Sequence, residues 1–209
     1  LNICANSGES EFCDNVTRSP SGSLWLGRSG YVTNVTGNVS QRKWEGVDVA
    51  ANYAFELGAG DLSFDIIGSY AIKKEITPVV GKDEFTYDCA GTISTDCFAT
   101  PKWRHTFTAK YTAEDWVLAA KWRYLAEIDY AGDADTRLKE QGGFDAYNYF
   151  DLNGTYIVTD YMSVTAGMNN IFDKEPPMVG NTLQTNANTI AGFYDTLGRF
   201  MHVSMNFKF

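Results

Sequence analysis

What the sequence lacks narrows its class. No apolar run approaches the roughly 18 residues of a membrane-crossing helix, because a polar residue soon interrupts each one. A helical membrane protein is excluded. Basic charge is in deficit, with 17 Lys and Arg against 26 Asp and Glu and a net charge of -9. That balance argues against nucleic acid as a partner, whose binders carry a concentrated cationic face. There is no Cys-x-x-Cys pair, and the chain has only 2 His, so a Cys/His metal site has little to build on. The first residues, Leu1-Asn2-Ile3-Cys4, carry neither an initiator Met nor the basic and apolar stretches of an export signal. Any such signal is expected upstream, with Leu1 at an interior cut. Order-promoting residues, by contrast, are plentiful: 44% hydrophobic and 14% aromatic content predicts a folded chain.

The 4 cysteines allow three pairings. Cys4 with Cys13 and Cys89 with Cys97 each close a short polar loop, which predicts two local disulfides and an oxidising compartment.

From Val47 onward the residues alternate with period two, the mark of strands with chemically different faces. Val47, Val49, Ala51, Tyr53, Phe55 and Leu57 share one face; Asp48, Ala50, Asn52, Ala54 and Glu56 share the other. The pattern returns in Leu62 to Lys73, in Phe107 to Tyr111, in Trp116 to Tyr124, in Phe150 to Val158 and in Met162 to Met168. It returns last where Met201, Val203, Met205, Phe207 and Phe209 oppose His202, Ser204, Asn206 and Lys208. About seven long strands are expected.

Alternation alone fits a soluble sandwich as well as a membrane barrel. Three observations favour the barrel. The strands approach the ten or so residues that cross a bilayer when tilted, against about five or six in globular sheets. Aromatics gather at both ends, with Phe55, Tyr111, Trp116, Tyr156 and Tyr161 near the turns and Trp44, Tyr70, Trp103, Tyr124 and Tyr147 opposite, as two interfacial girdles would. Connections alternate between short turns (Gly58-Ala59-Gly60, Glu114-Asp115, Thr159-Asp160) and long polar loops (Lys74 to Pro101, Ala126 to Phe144, Phe172 to Gly198). The expected fold is all-β: the C-terminal portion of an antiparallel transmembrane β-barrel, with short periplasmic turns and long extracellular loops. Residues 1–43 are then an extracellular loop region and 44–209 the barrel strands. Even strand number in such barrels predicts further strands before Leu1, and Phe209 is expected to be the true end of the protein.

The run Gly167-Met-Asn-Asn-Ile-Phe-Asp-Lys-Glu-Pro-Pro177 resembles the penultimate strand and following loop of TonB-dependent outer-membrane receptors, usually close to N-L-F-D-K-x-P-P. Tyr194-Asp-Thr-Leu-Gly-Arg199, leading into the last strand, and Glu45-Gly-Val-Asp48, similar to the family's G-V-D strand opening, extend the resemblance over most of the chain. It implies a bacterial outer-membrane barrel of about 22 strands around an N-terminal plug, importing a scarce nutrient such as a ferric siderophore, cobalamin or carbohydrate with energy passed on by TonB. The plug and the TonB box are absent from this sequence. The implied partners are membrane lipid, the plug and preceding strands, the TonB complex, a small-molecule nutrient, and the barrel-assembly machinery reading Phe207 and Phe209. In the motif, Asn169 and Asn170 with Ile171 and Phe172 would end a strand by satisfying loose backbone groups while an aromatic sits at the interface. Pro176 and Pro177 after Asp173 would stop further pairing.

Ligand capture falls to loop residues, with Trp25, Tyr31, Phe85, Tyr87, Asp133, Arg137 and Tyr194 as candidates. Inward-facing Asp48, Asp65, Lys121, Arg123 and Asp151 are candidates for contact with a plug. Asp133-Ala-Asp135 lacks the Gly and distal Glu of an EF-type Ca²⁺ loop. His202 and Ser204 lie about 7 Å apart along a strand, too far for a nucleophile and its base, and His105 beside Trp103 and Arg104 suits a strand end near headgroups. Asn15, Asn34, Asn38 and Asn153 match a glycosylation pattern that a bacterial barrel leaves unmodified. No enzymatic activity, cofactor or metal is expected. The alternative function is a passive outer-membrane pore or an adhesin barrel.

Overall fold

The computed structural model describes residues 4–5, 8, 13–25, 27–33, 38, 40–131, 143–179 and 188–209. The chain divides into two compact units, Leu1–Val39 and Ser40–Phe209. In the first, β1 (Val16–Thr17) pairs antiparallel with β2 (Tyr31–Val32), and Cys4 is joined to Cys13.

The second unit is an antiparallel meander. Its long strands are β3 (Gln41–Leu57), β4 (Gly60–Thr77), β7 (Trp103–Thr112), β8 (Trp116–Leu125), β10 (Tyr147–Thr159), β11 (Met162–Asn169) and β12 (Phe200–Phe207). Each pairs with the next in the chain, leaving an open sheet with β3 and β12 at its edges. Between β4 and β7 lie a 3-10 turn at Asp83–Phe85, then β5 (Tyr87–Asp88), which pairs with β4, and β6 (Thr92–Ile93). The β8–β10 connection holds β9 (Asp129–Tyr130), which runs parallel to β6. Among the described residues no helix is long and apolar enough to cross a membrane; any crossing is made by strands.

Register keeps the two chemistries apart. Across β4, β7, β8 and β10, Ile66 faces Phe107, Phe107 faces Trp122 and Trp122 faces Phe150, while one residue away Asp65, Thr108, Lys121 and Asp151 line up on the other face. In β10 burial alternates the wrong way for a protein in water. Tyr149 and Asp151 are 1% and 5% exposed, while their neighbour Leu152 is 49% exposed. Val203, Met205 and Phe207 of β12 are exposed too. Each such side chain forgoes about 1.5–3 kcal/mol of burial in water; in hydrocarbon it forgoes nothing.

The strand expected to open near Val47 begins at Gln41. Opposite Glu45 and Gly46 a β-bulge skips Ile72 and shifts the alternation of β4, which carries Lys74 to the polar face, while β3 keeps its period and Trp44 shares the side of Asp48. Trp44 therefore stands opposite Lys74, with the ammonium 5.2 Å over its ring, and both line a cavity on the polar face with Asp48 and Ser69. Trp44 thus leaves the girdle assigned to it. Tyr147 leaves it as well: it lies on the polar face and is buried with Tyr149 and Tyr194. At the turn end, Leu57 pairs with Gly60 across Gly58-Ala59, and Gly58 takes φ +64°, which favours glycine. The Tyr111 hydroxyl closes over this turn, donating to the Leu57 carbonyl at 2.9 Å.

The dry core lies among the long connections rather than between strands. Ile93, Ile128, Phe144 and Val179, drawn from all three, form one cluster. Ile76 packs on Cys89 and Cys97, which are disulfide-linked.

Candidate functional site

The polar face is built from strands and roofed by the end of the last long connection. At its centre Arg123 of β8 lies between two carboxylates. Its Nε and Nη2 donate to Asp151 at 2.9 and 3.0 Å, and its Nη1 and Nη2 donate to Asp195 at 2.9 and 2.6 Å. The guanidinium also sits 4.8 Å over the Tyr149 ring, and the Asp195 N–H donates to the Tyr149 hydroxyl at 3.2 Å. Asp151 is further held by the Asn170 N–H at 2.9 Å. One arginine thus ties two neighbouring strands to the returning loop.

The Asn169–Pro177 motif supplies the hem of that tie. Asn170 is buried with φ +52°, a conformation asparagine tolerates, and its amide bridges to Lys174 by donating to the carbonyl at 3.0 Å and accepting the N–H at 2.9 Å. Ile171 N–H donates to the Phe150 carbonyl at 2.9 Å, and Phe172 packs edge-on against Phe150 at 5.6 Å. Asp173 accepts the Arg199 N–H at 2.7 Å, joining the two ends of the connection. Gly198 is required there, because a Cβ would stand 2.8 Å from the Asp173 carboxylate and φ is +67°. Asn169 instead stays in β11, opposite Phe200. Pro176 and Pro177 lie outside any strand.

Asp48, Asp65, Lys121, Arg123 and Asp151 all lie on the polar face, with the Ser69 hydroxyl donating to Asp48 at 2.6 Å and Asn52 donating to Asp65. Of the loop candidates in the second unit, Tyr87 and Tyr194 fall in separate clusters. Trp25 and Tyr31 are exposed in the first unit. Phe85 sits in the 3-10 turn, and Tyr87 packs on the Cys89–Cys97 disulfide, where burial and then nearby Asp96 push its phenol pKa up. Beside it, burial opposes ionisation of Asp88, but the N–H groups of Ala90 and Lys74 outweigh it and hold the carboxyl below its usual range. Tyr194 is 2% exposed between Phe144 and Tyr147, with its phenol pKa raised by burial and its hydroxyl without a hydrogen-bond partner among the described residues. Asp133, Asp135, Arg137 and Asn34 fall outside the described residues.

Asp195 and Tyr149 are the members of the tie that the alternation does not flag. The only sequence signal was the Tyr194–Arg199 run, which marks kinship without naming a partner. His105 lies on the apolar face, accepting from the Trp103 indole at 2.8 Å and stacked on Tyr124. His202 stacks on Phe200, with no bond to Ser204 among the described residues. No group of three metal-ligating side chains comes together among the described residues. The arrangement is a wall that can bind and align.

The family profile described as TonB dependent receptor-like, beta-barrel matches residues 11–171. No curated protein sequence matches the chain. Among solved structures, the ferric enterobactin receptor PfeA is similar at TM-score 0.51 and 16% identity, over 77% of this chain and 22% of that one. A PfeA mutant from Pseudomonas aeruginosa in complex with enterobactin gives TM-score 0.51 and 18% identity over the same shares. The copper transporter OprC is similar at TM-score 0.46 and 19% identity, over 93% of this chain and 26% of its own. The chain thus spans 22% of the length of the PfeA structures. With the profile covering most of the sequence, this chain belongs to the TonB-dependent receptor β-barrel family.

Proposed function

We propose that this chain is the C-terminal barrel segment of an outer-membrane receptor that binds a scarce nutrient and imports it actively, with a ferric siderophore, cobalamin or carbohydrate as the candidate classes. The observation that supports this is the reversed burial of β10: Asp151 is covered and bonded on the roofed side while Leu152 is bare on the other. A wall so built needs lipid outside and a polar filling inside. On this reading the apolar rows meet membrane lipid, the polar face meets a plug and the preceding strands, and TonB acts through that plug. The long connections are extracellular, Phe207 and Phe209 belong to the pattern read by the barrel-assembly machinery, and no covalent chemistry takes place.

The test is transport in cells carrying the full gene or its deletion. Deletion abolishes accumulation of one scarce nutrient, and a protonophore stops accumulation while surface binding persists. Accumulation that survives the protonophore would identify a passive pore instead.

A further inference from the structure

Residues 188–199 end the β11–β12 connection and lie as a strap against the polar face. Both ends turn on left-handed backbone, Asn188 at φ +56° and Gly198 at φ +67°. There the strap is joined to its own connection: the Val179 N–H donates to the Asn188 carbonyl and the Arg199 N–H to Asp173. Between the ends it bonds largely within itself, with the Phe193 and Tyr194 N–H groups donating to the Ile190 carbonyl and the Gly198 N–H to the Asp195 carbonyl. Its polar hold on β8 and β10, among the described residues, is Asp195, which accepts from Arg123 and donates its N–H to the Tyr149 hydroxyl. Its apolar hold is Tyr194, packed among Phe144, Tyr147 and Tyr149.

The wall does not depend on the strap for its own bonding. If Asp195 leaves, Arg123 keeps both bonds to Asp151, and the Asn170 N–H still donates to that carboxylate. The Arg123–Asp195 pair is partly open to water, which can replace each partner for the other. Two groups within the strap oppose its closed position. The hydroxyls of Thr189 and Tyr194 are buried, at 1% and 2% residue exposure, with no hydrogen-bond partner among the described residues. Each loses its water on closure without compensation and regains it when the strap lifts. The strap also separates two spaces that Arg123 borders in common. Gly192 and Phe193 line a cavity of about 370 Å³ beside Ser69 and Arg104, while Ala191 and Asp195 line one of about 470 Å³ beside Asn169 and Phe200.

We propose that residues 188–199 are a two-state strap, latched to the wall by Asp195 on Arg123, which lifts as a unit while β8 and β10 stay bonded through Arg123 and Asp151. Lifting hydrates Thr189 and Tyr194, uncovers Arg123 and joins the two cavities into one space. A latch whose release leaves the wall complete, set against two unpaired hydroxyls, is the make-up of a segment that opens locally below the free energy of global unfolding. The proposal goes beyond the receptor reading by giving the polar face a movable part.

The experiment is amide hydrogen exchange of the full-length receptor containing this chain, reconstituted in bilayers, comparing residues 188–199 with 147–159 of β10. In the wild type the strap exchanges faster than the strand. Asp195→Ala speeds the strap by at least about tenfold, the size of one charge-assisted hydrogen bond, and leaves the strand unchanged. Tyr194→Phe and Thr189→Val each slow the strap by about threefold, because the closed state no longer holds the unpaired hydroxyl; a fixed strap would gain nothing from losing either group. In a second measurement Thr189→Cys is modified by a maleimide in the folded receptor, about tenfold faster when combined with Asp195→Ala. Equal exchange of strap and strand in the wild type, or equal acceleration of both by Asp195→Ala, overturns the proposal. So does faster exchange in both Tyr194→Phe and Thr189→Val, or a Thr189→Cys thiol that stays unmodified until the receptor unfolds. None of these outcomes touches the protonophore-sensitive accumulation by which the receptor reading is judged.

Discussion

The loop layer and the strand wall solve the same problem in opposite ways. In the loops, apolar groups hide from water: Ile93, Ile128, Phe144 and Val179 close on one another although they come from three separate connections. In the wall, apolar groups are presented outward and polar groups are covered, as Leu152 and Asp151 show one residue apart. The loops are organised as a small water-soluble core and the strands as a membrane surface. The tie at Arg123 is where the two regimes meet, because it bonds a wall carboxylate and a loop carboxylate with one guanidinium.

Breaking that junction should cost most. Arg123→Ala leaves the covered Asp151 carboxylate with no cation beside it, and a loss of about 3–5 kcal/mol is expected, measured by urea unfolding of the receptor in bilayers. Next comes the wall. Val203→Arg should cost about 2–4 kcal/mol if Val203 lies near the bilayer midplane, whereas an exposed valine in water can take arginine at roughly ±0.5 kcal/mol; the same unfolding assay reads the difference. In the loop layer, replacing Cys89 and Cys97 by Ser together should lower stability by about 2–3 kcal/mol, seen as faster proteolysis in the connection between β4 and β7 with the strands intact. Smallest is Tyr194→Phe, expected to be neutral or to stabilise by up to about 1 kcal/mol, because it removes a buried hydroxyl with no partner among the described residues.

The wall was readable because period two needs only the order of residues. Val47 to Leu57 and Met201 to Phe207 announce their faces without reference to anything distant. Reading failed where order stopped carrying the information. Gln41 to Glu45 is polar on both faces and looks like loop, and the bulge that skips Ile72 shifts the phase of β4, so nothing local shows Lys74 meeting Trp44. Tyr147 shares the period of Tyr149 and Asp151, so its girdle assignment, made from its place at a strand end, gives way to the polar face that the alternation already implies. Asp195 is 72 residues from Arg123, and nothing local in Tyr194–Arg199 tells which cation its carboxylate meets. The two-residue pairing of β6 with β9 is too short to leave a pattern. What was legible was repetition; what was not was contact between segments far apart in the chain.

The most direct test of the account is a single-label scan of β10 in the full-length receptor reconstituted in bilayers, reading quenching by lipid-borne and by aqueous quenchers at successive positions from Phe150 to Tyr156. Lipid contact at Phe150, Leu152, Gly154 and Tyr156, alternating with its absence at Asp151, Asn153 and Thr155, is the predicted result. Aqueous quenching at Leu152, or a scan without alternation, would contradict it.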